Sequence, residues 1–226
     1  MLPDDPSGAA PSAFGALRQF ARRSLPEEQC ELCSAGLPHN HQHLLALDSR
    51  QLLCACDACA LLFARPDAGK YRRVPRRARW LGDFHMSDAD WLALAIPVNM
   101  AFFFYHSGAG RVQAYYPSPA GPTESLLPLE TWQSLVRDNP PLAGLEPDVE
   151  ALLVNRLGTR REYYLAPIDR CYELVGLIRI HWRGLSGGAD VWREIESFFA
   201  GLRKQTGAPA ASAAATGAAA AAADNQ

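Results

Sequence analysis

Two Cys-x-x-Cys pairs constrain this chain more than any other feature of its sequence. Cys30 and Cys33 form the first pair, Cys56 and Cys59 form the second, and 22 residues separate the pairs. Each pair brings two sulfurs to one point, and two pairs can close the tetrahedral thiolate shell that Zn²⁺ prefers. The separation is slightly longer than the roughly 15–20 residues of the usual spacing. The pattern predicts a structural zinc site with Cys30, Cys33, Cys56 and Cys59 as its metal ligands.

Several alternatives remain open around this site. Four thiolates also hold iron–sulfur clusters, whereas disulfides are disfavoured because we expect a cytoplasmic protein with reduced thiols. Cys54 is a spare cysteine that could replace Cys56, stay a free thiol beside the metal or act as a redox partner. His39, His41 and His43 alternate and would share one face of a strand. We expect them beside the site, although one could replace a cysteine.

The rest of the sequence predicts an α+β fold, in which a small zinc-ribbon-like four-cysteine module precedes a mostly antiparallel sheet with flanking helices. Hydrophobic content of 48% and charged content of 20% are globular values. Runs of β-forming residues predict hairpins from 100–105 with 111–116 and from 149–155 with 162–166. The predicted divisions are a mobile N-terminus with a short helix (1–27), the metal module (28–66), a basic linker (67–80), an α+β domain (81–205) and a disordered Ala-rich tail (206–226).

Five local predictions concern the second domain. Ser87-Asp-Ala-Asp90 has the form of a capping box and predicts a helix start. The Pro-rich residues 115–122 predict an extended loop. Asp169 and Asp190 are each predicted to cap a helix. After Gly176, alternation of apolar and polar residues through 178–183 predicts a half-buried strand.

The basic segment 70–79 raises the question of nucleic acid. It carries six positive charges beside aromatic residues, a pattern found in nucleic-acid binders. The whole chain has a formal net charge of −2 and a pI of about 6.3, which argues against such binding. We therefore expect a protein partner. A zinc-ribbon nucleic-acid binder that uses the basic segment 70–79 stays an alternative. The longest apolar run, residues 92–104, is too short to span a bilayer, so no membrane span is predicted.

The sequence predicts no catalytic residues. Asp169, Cys171 and His181 could be drawn as orienter, nucleophile and base, but no recognised motif surrounds them. A helix cap, a small buried residue and an outward-facing histidine are the more ordinary interpretation. Residues 81–150 are strongly acidic, with Arg111 and Arg137 as their only basic residues, which favours a basic partner surface.

Several stretches together resemble a known family. They are CELC at 30–33, HQHL at 41–44, LCACDACALLF at 53–63, YPSPAG at 116–121, LEPDVEALLV at 145–154, PIDRCYELVG at 167–176 and HWRGLSGG at 181–188. They resemble a bacterial family of unassigned function whose members often lie in gene clusters for actinobacterial-type nickel–iron hydrogenases. The resemblance covers roughly residues 14–204.

The resemblance implies a functional setting and no catalytic residues. It suggests an accessory protein that assists assembly or maturation of a nickel–iron hydrogenase, with a hydrogenase subunit or maturation factor as its partner. The sequence-based hypothesis is therefore a non-enzymatic zinc protein. An iron–sulfur or thiol redox carrier is the first alternative.

Overall fold

Two antiparallel sheets with flanking helices make up the structure, a computed structural model that describes residues 28–64, 69–126 and 128–209. This is the α+β class that the sequence predicts. The short helix predicted within residues 1–27 and the predicted tail beyond residue 209 lie outside the described residues.

The smaller sheet contains three strands in the order β2-β1-β3. The strands are β1 (Gln42–Ala46), β2 (Leu52–Ala55) and β3 (Tyr71–Arg73), and a short helix, α1 (Asp57–Phe63), follows β2. Its buried core consists of small residues and two cysteines, with Leu44 as the one large aliphatic side chain. Apolar burial alone therefore gives this unit little stability.

The larger sheet contains six strands in the order β4-β9-β8-β5-β6-β7, all paired antiparallel. Both predicted hairpins are confirmed, as β5 with β6 and as β8 with β9. The strands are β4 (Arg79–Trp80), β5 (Met100–His106), β6 (Arg111–Ser118), β7 (Gly121–Ser125), β8 (Glu150–Asn155) and β9 (Glu162–Pro167).

Helices cover both faces of this sheet. Because successive strand residues point to opposite faces, Phe102 and Phe104 lie in one core and Phe103 lies in the other. Phe103 stacks on Trp132 at a ring-centroid distance of 5.5 Å, and Phe102 contacts Tyr172 edge-on at 6.0 Å. The helices are α2 (Asp88–Ala93), α3 (Leu129–Asp138), a 3₁₀ helix (Pro140–Gly144), α4 (Ile168–His181) and α5 (Gly188–Thr206).

The strand predicted after Gly176 is wrong. Helix α4 continues through Gly176 to His181, and Ile178 is buried whereas Ile180 is 65% exposed. The buried side chains of this helix recur at spacings of three and four residues, as one face of an α-helix requires. They are Ile168, Cys171, Leu174, Val175 and Ile178.

The two aspartate caps are also wrong, by two positions for Asp169 and by three for Asp190. Pro167 precedes α4, so Asp169 lies in its first turn. Gly187, with φ of 89°, precedes α5, so Asp190 lies in that helix's first turn. A carboxylate in the first turn still interacts favourably with the helix dipole.

Two further local predictions have opposite outcomes. The capping box at Ser87 is confirmed, with the Ser87 hydroxyl and the Asp90 carboxylate each accepting the other's backbone N–H. The extended loop predicted over 115–122 is wrong, because β6 and β7 form a hairpin in which Pro117 lies opposite Pro122. Pro122 is tolerated because β7 is an edge strand, and Pro117 lies beyond Tyr115, where the pairing of β6 with β5 ends.

The residues predicted as a basic linker belong to both sheets, since β3 pairs with β1 and β4 pairs with β9. The sheets are also joined by packing. Leu45 of β1 and Val74 lie in the core that the larger sheet forms with α4 and α5. The domain boundaries drawn from the sequence stay a prediction.

A buried carboxylate links the two sheets. Asp148 is fully buried and has a positive φ of 68°. It accepts hydrogen bonds from Arg50 Nη1 at 2.7 Å and from the backbone N–H of Ser107 at 3.0 Å. Arg72 lies 3.4 Å from its second oxygen. Two arginines of the small sheet thus dock on one aspartate of the larger domain.

No helix within the described parts of the chain combines the length and the hydropathy that crossing a membrane requires.

Candidate metal centre

The structure brings the two Cys-x-x-Cys pairs together at one end of the small sheet. The sulfurs of Cys30, Cys33, Cys56 and Cys59 all lie within 4.8 Å of one another. Cys33 Sγ and Cys56 Sγ are 3.7 Å apart. A tetrahedral zinc site with Zn–S bonds of about 2.3 Å has sulfurs about 3.8 Å apart. These four cysteines, called the tetrad below, therefore fit a metal of zinc's size.

The first pair lies on a tight turn that precedes β1. Within the turn, the N–H of Ser34 donates to the carbonyl of Cys30 at 2.7 Å, and Ser34 adopts a positive φ of 61°. The N–H of Cys30 donates in turn to the carbonyl of Ala35 at 2.8 Å. These bonds fold the chain back on itself, so that both sulfurs point to one side.

The second pair lies at the start of a helix. Cys56 is the N-cap residue of α1, and its sulfur accepts the backbone N–H of Cys59 at 3.4 Å. The exposed N–H groups of a first helical turn favour negative charge. The second pair therefore places its sulfurs at a helix start, whereas the first places them on a turn.

The cysteines of the tetrad differ in how readily their thiols lose a proton. Burial opposes ionisation of Cys30, yet backbone hydrogen bonds from Cys56, Leu32 and Cys33 lower its pKa to about 6. Burial and hydrogen bonds with the neighbouring cysteines raise the pKa of Cys59 to about 12. Four thiolates at one point repel one another, and a divalent cation removes that repulsion.

Cys54 does not belong to the tetrad. It forms a second group with His41 and His43, in which one ligand atom from each residue lies within 4.8 Å of the others. Cys54 therefore belongs to a different group from Cys56, the cysteine that it could have replaced in the tetrad. His39 is part of neither group among the described residues.

The larger domain holds His43 in place. His43 Nδ1 lies 2.7 Å from Asp169 Oδ2, and this hydrogen bond raises the pKa of His43. Sequence reasoning missed the contact, because 126 residues separate the partners. The spacing of the histidines placed them on one face, but nothing local pointed to an aspartate on α4.

The triad that could be drawn from Asp169, Cys171 and His181 does not assemble. Cys171 is fully buried, and desolvation raises the pKa of its thiol. Asp169 bonds His43, and His181 lies at the other end of α4. A buried neutral thiol is a poor nucleophile.

Arginines of the basic segment 70–79 make contacts within the protein. Arg72 donates to the carbonyl of Pro147 at 2.9 Å, and Arg76 donates to Asn40 Oδ1 at 2.5 Å. Part of the segment's positive charge is therefore used in fixing neighbouring chain segments. The expectation that nucleic acid is not the partner stays a prediction.

Comparison with known proteins identifies a family. Residues 29–206 match the family described as Family of unknown function (DUF5947). No curated protein and no solved structure matches the chain. The family description agrees with the unassigned function of the family that the sequence resembles, and the hydrogenase setting stays a prediction. Because the match spans most of the chain, including the whole tetrad, this protein belongs to the family of unknown function DUF5947.

Proposed function

We propose that this protein is a non-enzymatic metal-binding accessory protein that assists assembly or maturation of a nickel–iron hydrogenase. It holds one Zn²⁺ through Cys30, Cys33, Cys56 and Cys59. The convergence of four sulfurs within 4.8 Å is the observation that carries the metal assignment. A closed shell of four thiolates leaves no coordination position for a substrate, so the zinc is structural.

The architecture around the tetrad supports a role in binding a protein partner. Leu61 and Leu62 follow the last tetrad cysteine on α1 and are 77% and 62% exposed. Adjacent exposed leucines on a short helix are suited to a protein contact. The hydrogenase setting rests on the sequence resemblance, and the partner that follows from it is a hydrogenase subunit or maturation factor.

The metal assignment is tested on protein purified without air. Elemental analysis of wild type should find zinc and no iron, and its visible spectrum should be empty. Cys33→Ser should lose the tetrad's zinc, because three thiolates no longer complete the shell. Cys171→Ala is the matched control, since Cys171 is a buried cysteine on α4, outside the tetrad, and it should keep the metal. If the analysis instead finds iron and sulfide, and the spectrum shows visible absorption, the tetrad holds an iron–sulfur cluster and the redox-carrier alternative is favoured.

The accessory role is tested in a bacterium that encodes this protein and a nickel–iron hydrogenase. Deleting the gene should lower hydrogenase activity and the nickel content of the hydrogenase. Wild type and Cys171→Ala should restore both, whereas Cys33→Ser should not. Full hydrogenase maturation in the deletion strain would refute the accessory role and leave the zinc assignment standing.

The partner surface has its own test. Purified hydrogenase subunits are passed over immobilised wild type and over a Leu61→Glu, Leu62→Glu double variant. Binding to wild type that the double variant loses, with its zinc retained, is the expected result. Equal binding to both proteins would exclude α1 as the contact.

A further inference from the structure

Three potential metal ligands outside the tetrad converge on the small sheet. His43 of β1 lies directly opposite Cys54 of β2 in the strand register, so their side chains leave the sheet on the same face. His41 lies two residues before His43, and the two imidazole rings meet edge-on with centroids 4.9 Å apart. One ligand atom from each of the three residues lies within 4.8 Å of the others.

The hydrogen bonds of the two histidines define which ring nitrogen is free. His41 Nδ1 lies 3.0 Å from the carbonyl oxygen of Pro38. A carbonyl oxygen only accepts, so this nitrogen carries the proton. His43 Nδ1 lies 2.7 Å from the Asp169 carboxylate, which fixes its proton in the same way. Nε2 is therefore the ring nitrogen of each histidine that a metal ion can take, displacing any proton it carries.

A histidine that donates Nδ1–H to a carboxylate or a backbone carbonyl is the common arrangement of a metal ligand. The second nitrogen is thereby oriented and made more basic. Here one histidine uses a carbonyl and the other uses a carboxylate from a different part of the chain.

His41 Nε2 is buried and finds no hydrogen-bond partner among the described residues. The His41 side chain is 6% exposed. Burying an unsatisfied polar nitrogen is unfavourable, so this position favours a bound partner. This observation is independent of the convergence of the three residues, and it points to a bound cation.

We propose a second metal site, in which His41 Nε2, His43 Nε2 and Cys54 Sγ hold a Zn²⁺ ion. Two imidazoles and a thiolate suit zinc, a cation of intermediate softness. Three protein ligands leave the fourth tetrahedral position open. Asp169 is a positioning residue that orients His43. This site does not depend on the zinc proposed at the tetrad.

The two histidines of the proposed site border an open groove between the small sheet and α4. A groove of about 890 Å³ is lined by His41 and His43, by Asp169 and by residues of the segment after β3. Water or a small anion can reach a metal held at this point. The second site therefore differs from the tetrad, whose shell is complete.

The test counts metal on protein first stripped of metal and then loaded with Zn²⁺ or Co²⁺ alone. Wild type should bind two equivalents. His41→Ala and Cys54→Ser should each bind one, with the intense sulfur-to-cobalt absorption of the tetrad retained as a sign that the module is folded. His39→Ala is the matched control and should bind two, because His39 is part of neither group.

The possible outcomes separate the two sites. One equivalent in wild type, unchanged in His41→Ala and Cys54→Ser, would overturn the second site and leave the tetrad standing. One equivalent that both variants lose would overturn the tetrad and support the second site. Two equivalents retained in both variants would exclude these ligands.

Two further measurements address the geometry of the site. Asp169 lies outside the small sheet. Asp169→Asn should weaken the affinity for the second metal ion by about 10–100-fold without changing the affinity for the metal ion at the tetrad. Equal affinity in wild type and Asp169→Asn would overturn the positioning role.

Azide should shift the cobalt absorption that His41→Ala removes, because the fourth position is open. An absorption that azide leaves unmoved would overturn the open position.

Discussion

The small sheet and the large sheet are stabilised by different interactions. The large sheet is covered on both faces, and its β5 buries Phe102, Phe103 and Phe104 in two separate cores. The small sheet has a core of two cysteines, two alanines and Leu44. Full burial of one large apolar side chain contributes about 1.5–3 kcal/mol. The large domain therefore has ample apolar stabilisation, whereas we expect the small sheet to depend on a metal at the tetrad and on its docking to the large domain.

Metal removal should have the largest effect, because it should unfold the small sheet and leave the large sheet folded. Structural zinc contributes about 10 kcal/mol or more to the folding of small zinc modules. A chelator should therefore release hydrogen-exchange protection in residues 42–55 and leave residues 150–167 protected. Mass spectrometry of amide exchange, before and after chelation, measures both regions in one sample. Unchanged protection in residues 42–55 after zinc has left would show that the small sheet needs no metal.

A cavity in the large sheet should have the converse effect. Leu152→Ala removes a fully buried side chain of β8 and should lower the free energy of unfolding by about 2–5 kcal/mol. Its zinc content should not change. Leu92→Ala is the matched control, because Leu92 is 78% exposed, and it should stay within about 0.5 kcal/mol of wild type. Denaturant unfolding supplies these values, and equal stabilities of the two variants would contradict the core assignment.

The link between the two sheets should have an effect of about 3 kcal/mol. Asp148→Asn keeps a residue type that tolerates the positive φ, but it leaves Arg50 without its charged partner. Breaking a buried ion pair from one side costs about 3–5 kcal/mol, and the partial exposure of Arg50 places this pair at the lower end. Hydrogen exchange should increase in residues 42–46 more than in β8. Asp83→Asn, at an exposed position, is the control, and an equal increase in both variants would argue against docking through Asp148.

The smallest effect concerns the capping box of α2. Ser87→Ala should lower the free energy of unfolding by about 1 kcal/mol, whereas Ser186→Ala at an exposed position should not. Hydrogen bonds from Ser87 lower the pKa of Asp90. The contribution of Asp90 to the free energy of unfolding is therefore fully present above its unfolded-state pKa of about 3.9. That contribution is lost as pH falls through its lower folded-state pKa. Unfolding curves of both variants between pH 2 and 7 test the sign.

The sequence predicted the tetrad well because its geometry is local. Two residues between paired cysteines allow only a tight turn or a first helical turn, and both occur here. The separation of the pairs left room for the β1–β2 hairpin. The difference in local structure at the two pairs was not predicted, because Cys-x-x-Cys fits either.

Helix α4 was misread because two periodicities overlap in it. Ile178, Ile180 and Trp182 alternate with polar residues, as in a strand, and Gly176 suggested a break. The helical signal was present in Cys171, Leu174, Val175 and Ile178, whose spacing matches the buried face. Tertiary packing against α5 favours the longer helix despite the cost of about 1 kcal/mol of a glycine in its middle.

The second group of potential ligands, His41, His43 and Cys54, could be predicted in part. The alternation of His41 and His43 placed them on one face, but the pairing of His43 with Cys54 required the β1–β2 register. The contact with Asp169 required the tertiary fold. Sequence-based reasoning is weakest for contacts that no local spacing encodes.

The long separation between His43 and Asp169 orders events during synthesis. The tetrad is complete once residue 59 has left the ribosome, and β3 follows by residue 73. Helix α4, which carries Asp169, starts at residue 168. At roughly 5–20 residues per second, the residues of the small sheet are made about 5–20 seconds before that aspartate. The four cysteines of the tetrad are therefore available to a metal ion long before the residue that orients His43 has been made.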